Sequence, residues 1–109
     1  MINKILKCEK LQNYRIKGES IVDHYTVEYI RVIDKFEKTY LVQDLGSEKF
    51  FHTDLSGGFG HKLLEIMLDT SDIEEVVKNN EEQKRKLANK AVEDYKKLSL
   101  FYKMRNSIR

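Results

Sequence analysis

The first half of the chain alternates apolar and polar positions with the period of a β-strand. In residues 23–33, the apolar positions on one side of an extended chain, interrupted by Arg31, are Tyr25, Val27, Tyr29 and Ile33. The opposite side becomes apolar toward its end, at Ile30 and Val32. We therefore expect a strand here that is covered on both sides near residue 32.

Shorter segments of the same kind follow. Residues 39–43 and 49–53 are rich in β-branched and aromatic side chains, and a tight-turn signal at residues 45–48 separates them. Connections this short join antiparallel neighbours. Residues 13–17 fit an edge strand, and residues 2–11 fit either a strand or a short helix. The pattern predicts an antiparallel meander of three to four strands.

The second half has helical periodicity. Residues 61–68 predict a short helix, and Ser71 with Glu74 has the spacing of a capping box. The apolar stripe that follows is interrupted by polar residues, so one long helix or two consecutive helices both fit. Its members are Ile73, Val76, Val77, Leu87, Ala88, Ala91, Val92, Tyr95, Leu98 and Tyr102.

These patterns predict one α+β domain over residues 1–109, in which the meander packs against one or two C-terminal helices. Residues 1–55 are expected to be mainly β and residues 61–105 mainly α. The predicted core joins strand residues to helix residues: Tyr25, Val27, Tyr29, Val42 and Phe51 with Leu87, Ala91, Tyr95 and Leu98.

Composition narrows the class of protein. With 20 basic and 18 acidic residues among 109, the chain is neither a strongly acidic nucleic-acid mimic nor a histone-like polycation. It has no apolar run of membrane-spanning length and no secretory signal pattern. A single cysteine favours a reducing, cytoplasmic setting. Lysine outnumbers arginine 15 to 5 and alanine occurs twice, which is typical of an AT-rich bacterial, phage or mobile-element genome.

Charge is distributed unevenly along the chain. Residues 65–82 hold seven acids and one lysine, whereas residues 83–109 hold nine basic residues against two acids. The basic segment also carries aromatic residues, which suits either a solvated helix face, an acidic protein partner or a nucleic acid. Apolar residues off the main stripe indicate that a partner or a second copy covers the helix end: Leu100, Phe101, Met104 and Ile108.

No motif in the chain specifies catalysis, a cofactor or a metal. The glycine loop of residues 56–60 lacks the third glycine of a dinucleotide fingerprint and the pattern of a P-loop. It fits a connector that lets Phe59 tuck under the sheet, or an anion site that uses Lys62. The remaining candidates have no ligand-pair spacing or distinguishing context: Cys8, His24, His52, His61, Asp44, Asp54 and Glu65.

We therefore expect a non-enzymatic interaction or regulatory protein that binds and inhibits or redirects a larger host protein or nucleoprotein. A phage or mobile-element inhibitor of an anti-CRISPR type is one example of that class. The alternative is a nucleic-acid-binding module that uses the basic C-terminal helix. The predicted partner-binding residues lie in that helix: Lys96, Lys97, Phe101, Tyr102, Lys103, Met104 and Arg105.

Overall fold

Five antiparallel strands and one long helix make up the computed structural model. It describes the backbone of residues 1–16, 19–57 and 60–107, and the side chains of residues 1–12, 24–57 and 60–97. The elements are β1 (Ile5–Ile16), β2 (Glu19–Lys35), β3 (Tyr40–Asp44), β4 (Phe50–Thr53), β5 (Lys62–Ile66) and α1 (Ile73–Ser107). The strand order is β4-β3-β2-β1-β5.

The predicted α+β class with an antiparallel meander and a C-terminal helix is confirmed. The sheet has five strands rather than three or four, because residues 62–66 add β5 to the predicted meander. The opening residues and the predicted edge strand form one continuous strand, β1. The two open alternatives for the helix resolve to a single helix of 35 residues. None of the helices that the structure describes is both long and apolar enough to traverse a lipid bilayer.

The helix predicted for residues 61–68 is wrong, because this segment contains β5. Leu6 of β1 is paired with Ile66, and Cys8 is paired with Leu63. A run of eight mostly apolar residues is too short for its periodicity to distinguish helix from strand. Pairing with the open edge of β1 makes this segment a strand. The β part of the chain therefore extends to residue 66 rather than to residue 55.

The apolar core lies on one face of the sheet, which we call the inner face. Its buried members are Leu6, Cys8, Ile30, Val32 and Val42, with Tyr40, Phe51, Leu55 and Leu63 packed against them. Val42 and Phe51 lie in this cluster as expected, but among the described residues the cluster contains none of the helix residues that were predicted to pack against them. The expectation for Tyr25 is wrong: it points to the outer face and is 67% exposed, because strand alternation places it opposite to Ile30.

Helix α1 docks where β3 ends. The last residue of β3, Asp44, is paired with Ile30, so the preceding part of β2 has no strand on that side. Asn80 of α1 fills this gap, because its Nδ2 donates to the carbonyl oxygen of Val27 at 2.8 Å. The helix thereby covers an edge of β2 that would otherwise present unpaired backbone groups.

The start of α1 differs from the predicted capping box. The hydroxyl of Ser71 donates to the carboxylate of Asp69 at 2.8 Å rather than serving Glu74. The first helical hydrogen bond runs from Val76 N–H to Asp72 O at 3.0 Å. Asp72 is therefore the residue from which the helix begins.

Candidate functional site

Three acidic side chains and one lysine meet where α1 contacts the inner face. Lys84 Nζ donates to Glu28 Oε2 at 2.8 Å and to Glu81 Oε1 at 3.0 Å. Carboxylate oxygens of Glu28, Asp44 and Glu81 lie within 4.8 Å of one another. We call these four residues the carboxylate cluster. It joins β2, the end of β3 and the middle of α1.

Local structure places each member. Glu28 shares the inner face with Ile30 by strand alternation. Asp44 begins the turn after β3, and its Oδ1 accepts from the backbone N–H groups of Gly46 and Ser47 at 2.8 and 3.0 Å. Glu81 lies directly over Gly46, where a Cβ atom would overlap its carboxylate. Glycine at position 46 therefore lets α1 approach the turn.

The environment shifts the pKa values of the two buried carboxyl groups, Glu28 and Asp44, in opposite directions. Burial and hydrogen bonding to Asp44 raise the pKa of Glu28 to about 7, although Lys84 opposes the shift. Burial disfavours ionisation of Asp44 as well, but hydrogen bonds from Glu28 and from two backbone N–H groups hold its pKa below the usual value. Near neutral pH the pair therefore shares a proton that resides mainly on Glu28.

Neighbouring polar groups complete the surroundings of Glu28. Gln12 Nε2 donates to Glu28 Oε1 at 3.0 Å, and Thr26 Oγ1 approaches the same oxygen at 3.4 Å. Only 3% of Glu28 and 4% of Asp44 is exposed. The burial of these carboxyl groups and the ion pairs of Lys84 suit the cluster to fastening α1 to the sheet.

The cluster also supplies its own cation. Oxygen donors at this separation suit a divalent ion in principle. Here the ammonium group of Lys84 lies within hydrogen-bond distance of two of the three carboxylates. Sequence analysis named Asp44 but missed Glu28, Glu81 and Lys84. The signal for them was the polar interruption of the helix stripe, which faces buried polar groups instead of solvent.

Among the described side chains, the cysteine and histidine candidates named from the sequence do not form a ligand cluster. Burial, reinforced by the charge of Glu28, raises the pKa of the Cys8 thiol to about 12, so the thiol stays protonated. His61 is buried with its ring centroid 5.8 Å from that of Phe51, and burial lowers its pKa. His52 is exposed beside Phe36. Within the described residues, the group of three candidate ligands contains no cysteine or histidine.

The glycine loop acts as a connector between β4 and β5. Ser56 forms a β-bridge with Lys62, and Leu63 N–H donates to Leu55 O at 3.2 Å. Gly57 has a φ of 89°, in the left-handed region that favours glycine. A Cβ atom at this position would also crowd the Lys62 side chain, so position 57 requires glycine for both reasons. Phe59 lies outside the described residues, and its place under the sheet stays a prediction.

The solvent-facing side of α1 carries the other candidate site. Lys96 and Lys97 are exposed, as predicted for a partner surface, whereas the side chains of the five other predicted partner residues lie outside the described ones: Phe101, Tyr102, Lys103, Met104 and Arg105. We define the basic face of α1 by its exposed basic residues between positions 85 and 97: Arg85, Lys86, Lys90, Lys96 and Lys97. Lys84 is ion-paired with Glu28 and Glu81, whereas the described structure shows no ion pair for any of the five residues of the basic face.

Comparison with protein-family models, with curated proteins and with solved structures found no match to this chain.

Proposed function

We propose that the protein is a non-catalytic interaction module that holds the basic face of α1 against an acidic surface of a larger host protein or nucleoprotein. The observation that carries the proposal is the contrast between Lys84, which is paired and half-buried, and the five basic side chains beyond it, which have no acidic partner among the described residues. Unpaired surface charges of one sign steer association with a complementary surface.

A protein partner suits this face better than a nucleic acid. Glu93 is exposed and lies within one turn of both Lys90 and Lys97. A continuous row of phosphates would meet this carboxylate, whereas a folded protein surface has room for a basic group opposite it. Lysine also predominates over arginine in this segment, which disfavours bidentate recognition of bases.

The composition supports a narrower setting for the same proposal. The lysine-rich, alanine-poor usage fits a phage or mobile-element protein that inhibits or redirects a host factor, of which a CRISPR nucleoprotein is one example. A bacterial cytoplasm suits the free thiol of Cys8.

The decisive experiment compares a variant with reversed charges on α1 with a control variant whose reversed charges lie elsewhere on the protein. Tagged wild type captures partners from a host lysate, and each captured protein is purified and its binding measured by surface plasmon resonance. The triple variant Lys86→Glu, Lys90→Glu, Lys97→Glu should slow association at least about tenfold. A control with reversed charge at exposed Lys38 and Lys49, on the sheet side, should associate normally. Equal association by both variants would exclude the basic face.

The nucleic-acid alternative is tested with a labelled 20-base-pair duplex and a single strand of the same sequence. Fluorescence anisotropy at several salt concentrations measures the dependence of log affinity on log salt. About five phosphate contacts would give a slope near −5. If this slope is observed and is lost in the triple variant, the partner is a nucleic acid and the proposed protein partner is wrong.

A further inference from the structure

One stretch of sheet edge is both apolar and uncovered. β5 is the terminal strand beside β1. Its first residues are covered, because Ser56 and Leu55 pair with Lys62 and Leu63. Beyond them three apolar side chains stand exposed at alternate positions: Leu64 at 44%, Ile66 at 39% and Leu68 at 94%.

The backbone of this stretch is oriented to accept another strand. Met67 N–H donates to Ile5 O at 2.9 Å, so residue 67 faces β1. Backbone groups alternate in direction along a strand, and the N–H and C=O of Ile66 therefore point away from β1. Natural sheet edges are commonly protected by lysine or proline. Residues 64–68 contain neither, although a bulge lies near Leu64 and β5 ends at Ile66, two residues before Leu68.

The leucines of this stretch are symmetric about its centre. Residues 64–68 read Leu-Glu-Ile-Met-Leu, with a leucine two residues before and two residues after Ile66 and with Glu65 and Met67 between them. We propose that β5 pairs antiparallel with β5 of a second copy of this chain, about a two-fold axis at Ile66. Ile66 then exchanges both backbone hydrogen bonds with Ile66 of the other copy, and Leu64 lies beside Leu68 of that copy.

Charge agrees with the same register. Glu65 lies opposite Met67 of the other copy, so no like charges face each other. The paired sheets continue the inner face outward from Leu6, the buried neighbour of Ile66. This surface is separate from the basic face of α1, so the inference stands independently of the proposed function.

The dimer should be weak, because the free stretch is short compared with stable interfaces. We expect a dissociation constant on the order of 100 μM. Sedimentation velocity from about 10 μM to about 1 mM should show the sedimentation coefficient rising with concentration, as mass action requires.

Two variants test the surface. Ile66→Lys should weaken association at least about tenfold, because a charge at the two-fold axis repels its copy. Leu68→Lys should do the same, and this side chain is so exposed that the fold does not depend on it. The matched control is Phe50→Lys, an equally exposed apolar residue on β4, the opposite edge of the sheet. It should associate like wild type.

A cross-link reads the register directly. The Cα atoms of a hydrogen-bonded antiparallel pair are about 5.5 Å apart, within disulfide range. Ile66→Cys should therefore form a disulfide-linked dimer under mild oxidation, whereas Phe50→Cys should not. A sedimentation coefficient that stays monomeric up to about 1 mM, or association that both lysine variants leave unchanged, overturns the inference.

Discussion

Glu28 is a carboxyl group that folding moves from water to a buried site beside a second carboxylate. Its pKa rises from the ordinary value to about 7, so the folded state holds a proton that the unfolded chain has already released at neutral pH. The free energy of unfolding must therefore fall as pH rises through 7. Between pH 6.5 and pH 8 we expect a loss of about 1 kcal/mol, measured by urea denaturation.

The neutral analogue provides the control. Glu28→Gln keeps the size of the side chain and its hydrogen bond to Asp44, but it has no proton to lose. Its stability should not fall over the same pH window. His61, whose pKa is lowered by burial, contributes a smaller rise in stability with pH near the low end of the window, and this rise is common to both proteins. A wild-type profile that runs parallel to that of the variant contradicts the proton-sharing arrangement.

Gly46 is a residue whose importance is steric. Gly46→Ala places a methyl group where the Glu81 carboxylate lies, so that side chain must rotate away and release Lys84. We expect a loss of about 1 kcal/mol in the free energy of unfolding. The same substitution in a Glu81→Ala background should cost close to nothing. A double-mutant cycle with no coupling would show that the two residues do not meet.

At the scale of elements, α1 is fastened by polar contacts in the middle of its apolar stripe. Lys84→Met removes the ammonium group and leaves two carboxylates without their cation. We expect a loss of about 2–3 kcal/mol at pH 8. The loss should be smaller at pH 5, because Glu28 is then protonated. Chemical denaturation at both pH values measures it, with Lys86→Met, two positions along on the exposed face, as a control of unchanged stability.

Elements differ in how far sequence pattern could predict them. β3 and β4 were predicted to within one residue of their observed bounds, and β2 was predicted except for its first four and last two residues, because alternation and turn residues act locally. β5 was not, because residues 61–68 become a strand only through pairing with β1, which is distant in sequence. The side of β2 that faces the core was likewise missed. Glu28 can face inward because Lys84 of α1 satisfies it, and Thr26 because its hydroxyl contacts Lys10 O and Glu28 Oε1. No local pattern contains that information.

At the scale of the whole molecule, the proposed function depends on the far end of α1. Phe101→Ala with Met104→Ala should speed dissociation of the captured partner, because apolar anchors act mainly on the lifetime of a complex. Reversing Lys96 and Lys97 to glutamate should slow association and flatten its salt dependence. Surface plasmon resonance separates the two rates, and circular dichroism confirms the fold. Deletion of residues 99–109 without loss of binding would contradict this site.

The basic face of α1 could be anticipated from charge alone, since the run of lysines is visible in the sequence. The carboxylate cluster could not, because its members come from positions 28, 44, 81 and 84 and only the fold brings them together. Sequence analysis counted Lys84 only as a member of the basic segment, whereas the structure pairs it with Glu28 and Glu81. A count of charges along the sequence does not show which charged side chains from different elements pair in the fold.

The position of β5 at the side of β1 also has a kinetic consequence. Leu6 emerges from the ribosome early, but its partner Ile66 follows about sixty residues later. At about 5–20 residues per second, one side of β1 waits several seconds for its neighbour. The β1–β2 hairpin can close meanwhile, since its contacts are local. Closure of the long loop to β5 is then the slow step of folding, and during that interval β1 is the edge most exposed to a wrong partner.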